Sequence, residues 1–459
     1  MPETLTPDTA TATATATATP VIAVEPSAAL IDQPVSILLS GFAPREPITI
    51  TATTQDAAGV VYSSAIVVAA DSNGAVDLST DTPVNGSYLR ADANGLLWSL
   101  ATNEEDARTG LDSRFVNTRL EPYTITLRAE TQDGRSAETA TVRLPIAPTV
   151  HREHVPDPEL VGNLFLPEGE GPFPVVVVVP GSTGGIPDGL AALYASHGFA
   201  AIALAYFQAG EGVPPTLTEI PLEYFERALA YIDTDPRLDA GRIAINGVSR
   251  GGELALLLGA RYPQFSVVVA WVPSDHLHPA IQGAGATEER AAWTHGGEPL
   301  PYLSHRLPTA PRGDLDLREG AYLGAVDHLR RAQHTELHRA AQIPVENTQG
   351  AILIVSGRDD TLWPSAIYGD WVVDRLREHG FEYEVTHLSY DQAGHTLGPA
   401  HAPATLNRMF WKQPGSDGPP LVLALGGTPE GIAAARNDLW PKVLEFLDRN
   451  LRRPASARS

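Results

Sequence analysis

The stretch Gly247-Val248-Ser249-Arg250-Gly251 sets one serine between two glycines at the spacing Gly-x-Ser-x-Gly. A serine hydroxyl is weakly nucleophilic at neutral pH and needs a base before it can attack a carbonyl. The glycines suit a tight, strained turn in which a Cβ would meet neighbouring backbone. Such a turn sets the serine at the head of a helix, whose free N–H groups stabilise a developing oxyanion. Downstream, Ser356-Gly357-Arg358-Asp359-Asp360 offers a carboxylate, with Asp360 the first choice and Asp359 the alternative. Further on, Asp391-Gln392-Ala393-Gly394-His395-Thr396 offers a histidine in a glycine-flanked loop. Serine, then acid, then histidine is the chain order of acyl-transfer enzymes built on a nucleophile elbow. His276 and His278 precede the acid and His401 lies one short loop later, so His395 is the expected base. The glycine-rich loop Pro180-Gly181-Ser182-Thr183-Gly184-Gly185 should supply a second oxyanion donor. Ser182 N–H and Arg250 N–H are the expected pair. That loop lacks the Lys-Ser/Thr ending of a phosphate-binding loop, so nucleotide chemistry is not expected. The Arg250 side chain is expected to be solvated at the surface.

These residues need a scaffold, and the hydrophobic pattern supplies one. Val175 to Val179 is an unbroken valine run, as in a strand buried on both faces of a parallel sheet. Ala200–Ala205, Ile243–Asn246, Val267–Trp271 and Ala351–Val355 read the same way. Helical patterns lie between them, at Leu190 to His197, Glu223 to Asp233 and Glu253 to Gly259. Leu439, Val443, Leu447 and Leu451 share one face of a final helix. Alternating strands and helices predict a doubly wound sheet, an α/β-hydrolase, over residues 151–453. Ser249 falls between a strand and a helix, where an elbow must be. Residues 273–347 break the rhythm and read as a helical or irregular excursion over the sheet.

Residues 21–150 differ. Short Val-, Ile- and Thr-rich runs recur, as in Ile48-Thr49-Ile50-Thr51-Ala52 and Tyr123-Thr124-Ile125-Thr126-Leu127. Turn signals such as Asn73-Gly74 and Asp133-Gly134 separate them. This predicts an all-β, immunoglobulin-like sandwich domain ahead of the catalytic one. The Thr-Ala repeat of residues 1–20 and the end at 454–459 are expected to be disordered tails.

Composition limits the function. The chain has 459 residues, too many for one ordinary core. Its formal net charge of −23 argues against nucleic-acid binding. It contains no cysteine, which excludes disulfides, thiolate nucleophiles and cysteine-based metal sites. No apolar run reaches the roughly 20 residues of a membrane span, and a soluble, cytoplasmic protein is expected. No cofactor and no metal are expected.

The order of features resembles the acyl-CoA thioesterase / bile acid-CoA:amino acid N-acyltransferase family, over about residues 22 to 452. Asp32-Gln33-Pro34-Val35, Gly41-Phe42-Ala43-Pro44 and Asn94-Gly95-Leu96-Leu97-Trp98 resemble its N-terminal region. Leu164-Phe165-Leu166-Pro167, His197-Gly198-Phe199, Gly247–Glu253, Gly357–Asp360, Gly394-His395 and Gly426-Gly427-Thr428-Pro429-Glu430 follow in the family's order. The resemblance implies Ser249, Asp360 and His395 as a triad that hydrolyses small-molecule acyl-CoA thioesters. A serine nucleophile points to hydrolysis, whereas the amino-acid-conjugating members use cysteine. An esterase of dienelactone-hydrolase type and an N-acyltransferase are the alternatives. A non-catalytic binding protein is the reading from another class, and it predicts no turnover lost in Ser249→Ala.

Overall fold

The protein is described by a computed structural model over residues 19–102, 120–304, 336–411, 415, 417–418 and 421–452. The expected tails at 1–20 and 454–459 lie outside the described residues, apart from Thr19 and Pro20.

The valine run behaves as its composition demands. Strand β12 (Phe173–Val179) sends Val175, Val177 and Val179 into one apolar cluster and Val176 and Val178 into another on the opposite face. Period-two alternation with both faces apolar is what burial between two helical layers requires. Beside β12 lie β13 (Ala200–Ala205) and β15 (Leu238–Val248), both parallel to it. The sheet continues through β16 (Phe265–Trp271), β19 (Ala351–Gly357) and β20 (Val385–Tyr390), all parallel. At the other edge β10 (His151–His154) and β11 (Val161–Leu166) run antiparallel. Among the described residues this is an eight-stranded sheet of order β10-β11-β13-β12-β15-β16-β19-β20, a mixed α/β fold.

Helices cover both faces. On one side α2 (Asp188–Ser196) and α7 (Pro429–Leu447) pack against Val176, Val178, Val267 and Val269. On the other lie α3 (Glu223–Thr234), α4 (Arg250–Arg261) and α6 (Ser365–Glu378). The final helix starts at Pro429, earlier than its apolar stripe indicates, because Thr428 caps it by accepting from Gly431 N–H at 3.0 Å. Leu451 lies in a π-helical turn beyond its end and is still fully buried. The described part of the 273–347 excursion holds β17 (Trp293–His295), β18 (Glu298–Pro299) and α5 (Glu336–Ala341). β17 pairs with β14 (Ile220–Pro221), so the excursion is pinned to the main body. No described helix is long and apolar enough to cross a membrane.

Among the described residues the N-terminal region is all-β apart from the short α1 (Gly95–Trp98). A three-stranded and a six-stranded sheet share one apolar cluster that includes Ile37, Ile50, Ile66 and Leu127. That cluster also takes in Ala404, Ile432 and Ala433 of the α/β part. The contact has a polar centre. Asp32 accepts from Trp440 Nε1 at 2.7 Å and from His197 Nε2 at 2.6 Å, and it is buried.

Candidate active site

In the sheet, β13 lies on one side of β12 and β15 on the other, so the chain reverses its winding direction between β12 and β15. Ligands of open α/β sheets bind outside the carboxyl ends of the strands at such a reversal. Both the loop after β12 and the turn after β15 project there, with Val179 and Gly247 paired in register.

Ser249 sits in that turn at φ 59° and ψ −119°, a conformation rarely tolerated by a side-chain-bearing residue. Its N–H donates to Trp271 O at 2.8 Å and its carbonyl accepts from Glu253 N–H at 3.0 Å, which fixes the turn. The two glycines of the motif are obligatory on steric grounds. A Cβ on Gly247 would stand 1.9 Å from Gly251 O, and one on Gly251 would stand 2.5 Å from Pro180 O. Gly181 of the β12 loop passes so close that its Cβ would lie 3.4 Å from Ser249 Cβ. Ser182 follows it, and Arg250 N–H opens α4.

Asp360 and His395 come together across 35 residues. His395 Nδ1–H donates to Asp360 Oδ2 at 2.8 Å, and Ser365 Oγ donates to the same oxygen at 2.6 Å. The other carboxylate oxygen accepts from Leu362 N–H at 3.0 Å and Trp363 N–H at 3.3 Å. Asp360 is fully buried, whereas the alternative Asp359 is exposed. Gly426 and Gly427, both at φ 74°, clamp the acid and base loops. Isolated bridges join Asp360 to Gly426 and Ala393 to Gly427. A Cβ on Gly426 would stand 1.8 Å from Asp359 O, so only glycine lets the two loops approach.

Ser249, His395, Ser182 and Arg250 all line one cavity of about 1080 Å³ with a predominantly apolar wall. Ile186, Leu190 and Leu397 line it from the α/β part; Ile31, Tyr62 and Tyr123 line it from the N-terminal part.

One expectation is corrected. The Arg250 side chain is not solvated; it is 4% exposed and paired with the fully buried Glu253 at 3.2 Å. It also donates to Pro279 O at 3.0 Å and His278 O at 3.1 Å. Burial pushes the Glu253 carboxyl upward, against the pull of Arg250. Trp293 Nε1–H donates to Glu253 at 3.0 Å, and the His278 ring lies 3.0 Å from its other oxygen. The sequence marks Glu253 and Gly426-Gly427 only as parts of family motifs, without a role, and does not single out Ser365. The spacing of Arg250 and Glu253, three apart on one helix, was the available signal for the first.

Comparison with known proteins gives the family. Residues 220–453 match the family described as BAAT / acyl-CoA thioester hydrolase C terminal. Residues 32–157 match the acyl-CoA thioester hydrolase/BAAT N-terminal region. The chain belongs to this family. It is 30% identical over 439 residues to a peroxisomal succinyl-coenzyme A thioesterase of Mus musculus, covering 94% of this chain and 96% of that one. It is 30% identical to the mitochondrial acyl-coenzyme A thioesterase 2 of Homo sapiens, covering 92% and 82% respectively. It is 32% identical to acyl-coenzyme A amino acid N-acyltransferase 1 of Mus musculus, covering 93% and 96%.

Proposed function

We propose that the protein is an acyl-CoA thioesterase that acts through Ser249, His395 and Asp360. The observation that carries this is the 2.8 Å hydrogen bond from His395 to the buried Asp360, made at a cavity that Ser249 also lines. Asp360 holds the proton on His395 Nδ1, which leaves Nε2 free to accept the Ser249 hydroxyl proton. Ser249 Oγ then attacks the thioester carbonyl. Ser182 N–H and Arg250 N–H are the donors for the oxyanion. The C–S bond breaks, and the thiolate of CoA leaves with the proton held by His395. Thiolate is a good leaving group and needs little acid assistance. Water, deprotonated by His395, then attacks the acyl-enzyme and releases the carboxylic acid.

The finer fold names belong to the same reading. The doubly wound sheet of residues 151–453 is taken as an α/β-hydrolase and residues 21–150 as an immunoglobulin-like domain. A second reading, N-acyl transfer, is favoured by the similarity to the mouse N-acyltransferase. An oxygen ester on Ser249 supports hydrolysis over transfer, because water resolves serine esters readily.

The test is a panel of acyl-CoA thioesters and p-nitrophenyl esters, assayed with the wild type and Ser249→Ala, with and without glycine. Free CoA and free acid from the wild type alone support the thioesterase. Conjugates formed with glycine select transfer, and faster turnover of the small esters selects an esterase. Equal background from both proteins on every substrate refutes the reading.

A further inference from the structure

A second group of side chains lies beside the same cavity, which His276 lines, and is not used by the mechanism above. Asp275 and His276 follow shortly after β16, at the carboxyl end of the sheet. His338 arrives from α5, 63 residues after Asp275 (338 − 275 = 63). Backbone bonds on both sides lock the two segments together. Leu277 N–H donates to Ala341 O at 2.9 Å, and Ile343 N–H donates to Asp275 O at 2.9 Å.

All three side chains are buried, and one ligand atom from each lies within 4.8 Å of the others. His276 Nδ1 hydrogen-bonds to Asp275 Oδ1 at 2.7 Å, and His338 Nε2 is 3.5 Å from Asp275 Oδ2. Donor atoms around a tetrahedral zinc ion stand about 3.3 Å apart, given bond lengths near 2.0 Å. The other ring nitrogen of His276, Nε2, is buried and makes no hydrogen bond among the described residues. The His276 ring lines the cavity that holds Ser249.

The outer contacts are also of the kind that orients a metal ligand. Gln342 Nε2–H donates to Asp275 Oδ2 at 3.4 Å, and Arg375 holds Gln342 Oε1 at 2.7 Å.

We propose that Asp275, His276 and His338 form a zinc site in the wall of the substrate cavity. Two imidazoles and one carboxylate are a set that zinc takes when it keeps a fourth position open. Water or an oxygen or sulfur atom of a ligand would fill the fourth position, and the cavity that the His276 ring lines adjoins the site. The site does not depend on the thioesterase reading.

The test is the metal content of the purified protein and its zinc affinity by competition with a chromophoric chelator. The wild type, Ser249→Ala, Asp275→Asn and His338→Ala are compared, with circular dichroism as the check on folding. The expected result is close to one zinc per chain in the wild type and in Ser249→Ala. Affinity should fall by more than about 100-fold in Asp275→Asn and His338→Ala, beyond what outer-shell changes cause. If those variants misfold, chelator-stripped wild type decides: it must rebind zinc, and cobalt(II) must give the visible bands of a four-coordinate site. Wild type that neither retains nor rebinds zinc overturns the proposal. So does zinc binding of equal affinity in folded Asp275→Asn and His338→Ala.

Discussion

Asp360→Asn isolates the role of one oxygen atom. The carboxylate's Oδ1 accepts from two backbone N–H groups, and an asparagine carbonyl keeps both bonds. The amide nitrogen then replaces Oδ2, which accepts from His395 Nδ1 and Ser365 Oγ. Ser365 adapts, because its hydroxyl rotates to accept. His395 cannot adapt without cost: facing an N–H, its Nδ1 must become the acceptor, and the proton moves to Nε2. The ring then presents a donor to Ser249 where a base is needed. In serine-protease triads this change lowers kcat by about 10,000-fold. That corresponds to about 5.4 kcal/mol of transition-state stabilisation, four decades at 1.36 kcal/mol each. The lost charge-assisted bond also lowers stability by about 1.5–3 kcal/mol, which leaves a folded protein to assay. Steady-state hydrolysis of an acyl-CoA thioester reads the main effect, and the labelling rate of Ser249 by a fluorophosphonate, followed by mass spectrometry, reads it independently. Asp359→Asn is the control, because that side chain is exposed; its activity should stay within about twofold of wild type. The reasoning is refuted if Asp360→Asn keeps more than a tenth of the activity, or if Asp359→Asn loses as much.

Trp440→Phe removes the indole donor from buried Asp32 and should lower stability by about 1.5–3 kcal/mol. In a double-mutant cycle with Asp32→Asn, chemical denaturation should give a coupling energy above about 0.5 kcal/mol; additive effects would show that the bond is idle. His401 supplies a pH signature: burial, with help from the Arg143 charge, holds its imidazole down at about 4. The unfolded chain binds this proton below about pH 6.5 and the folded chain only below about 4. Stability therefore falls as pH drops across that window, by up to about 3.4 kcal/mol. His401→Asn, which tolerates the positive φ of 57°, should flatten that slope in thermal unfolding between pH 7 and 4.5; an unchanged slope would assign it to other groups.

The parts of the site written in short, local stretches were legible in the sequence. The valine run, the Gly-x-Ser-x-Gly turn and the glycine-flanked His395 each depend on neighbours within a few residues. Backbone geometry there is set by residue type, so a reading of types recovers it. Asp360, the first choice from the sequence, is the buried one of the two carboxylates, and burial is a property that the order of residue types does not carry. Arg250 was misread because its surroundings come from elsewhere. Pro279 and His278, almost 30 residues on, bring the carbonyls that satisfy it. A charged residue beside a glycine reads as surface until those carbonyls are known. Helix α6 was not anticipated either. It buries Tyr368, Val372 and Leu376 along a narrow stripe and carries charges elsewhere. Asp275, His276 and His338 are legible only when the fold closes 63 residues of chain.

Helix α7 explains why the family match extends past the acid and base to residue 453. Gly426 and Gly427 hold the Asp360 and His395 loops together, and Thr428 then caps the helix directly behind them. About two turns later, Arg436 donates to Thr396 O, the carbonyl next to His395, and to Pro403 O at 2.8 Å. It is buried, and desolvation alone lowers its guanidinium to about 10. One further turn on, Trp440 reaches Asp32 of the N-terminal region, 408 residues away in sequence. A single rigid element thus fixes the base loop and docks the unit that supplies Ile31, Tyr62 and Tyr123 to the cavity. The N-terminal region cannot shift on α7 without moving a wall of the cavity relative to His395. Its retention beside the α/β part follows from that shared strut, and a change at the Asp32–Trp440 contact should register in acyl-chain preference as well as in stability.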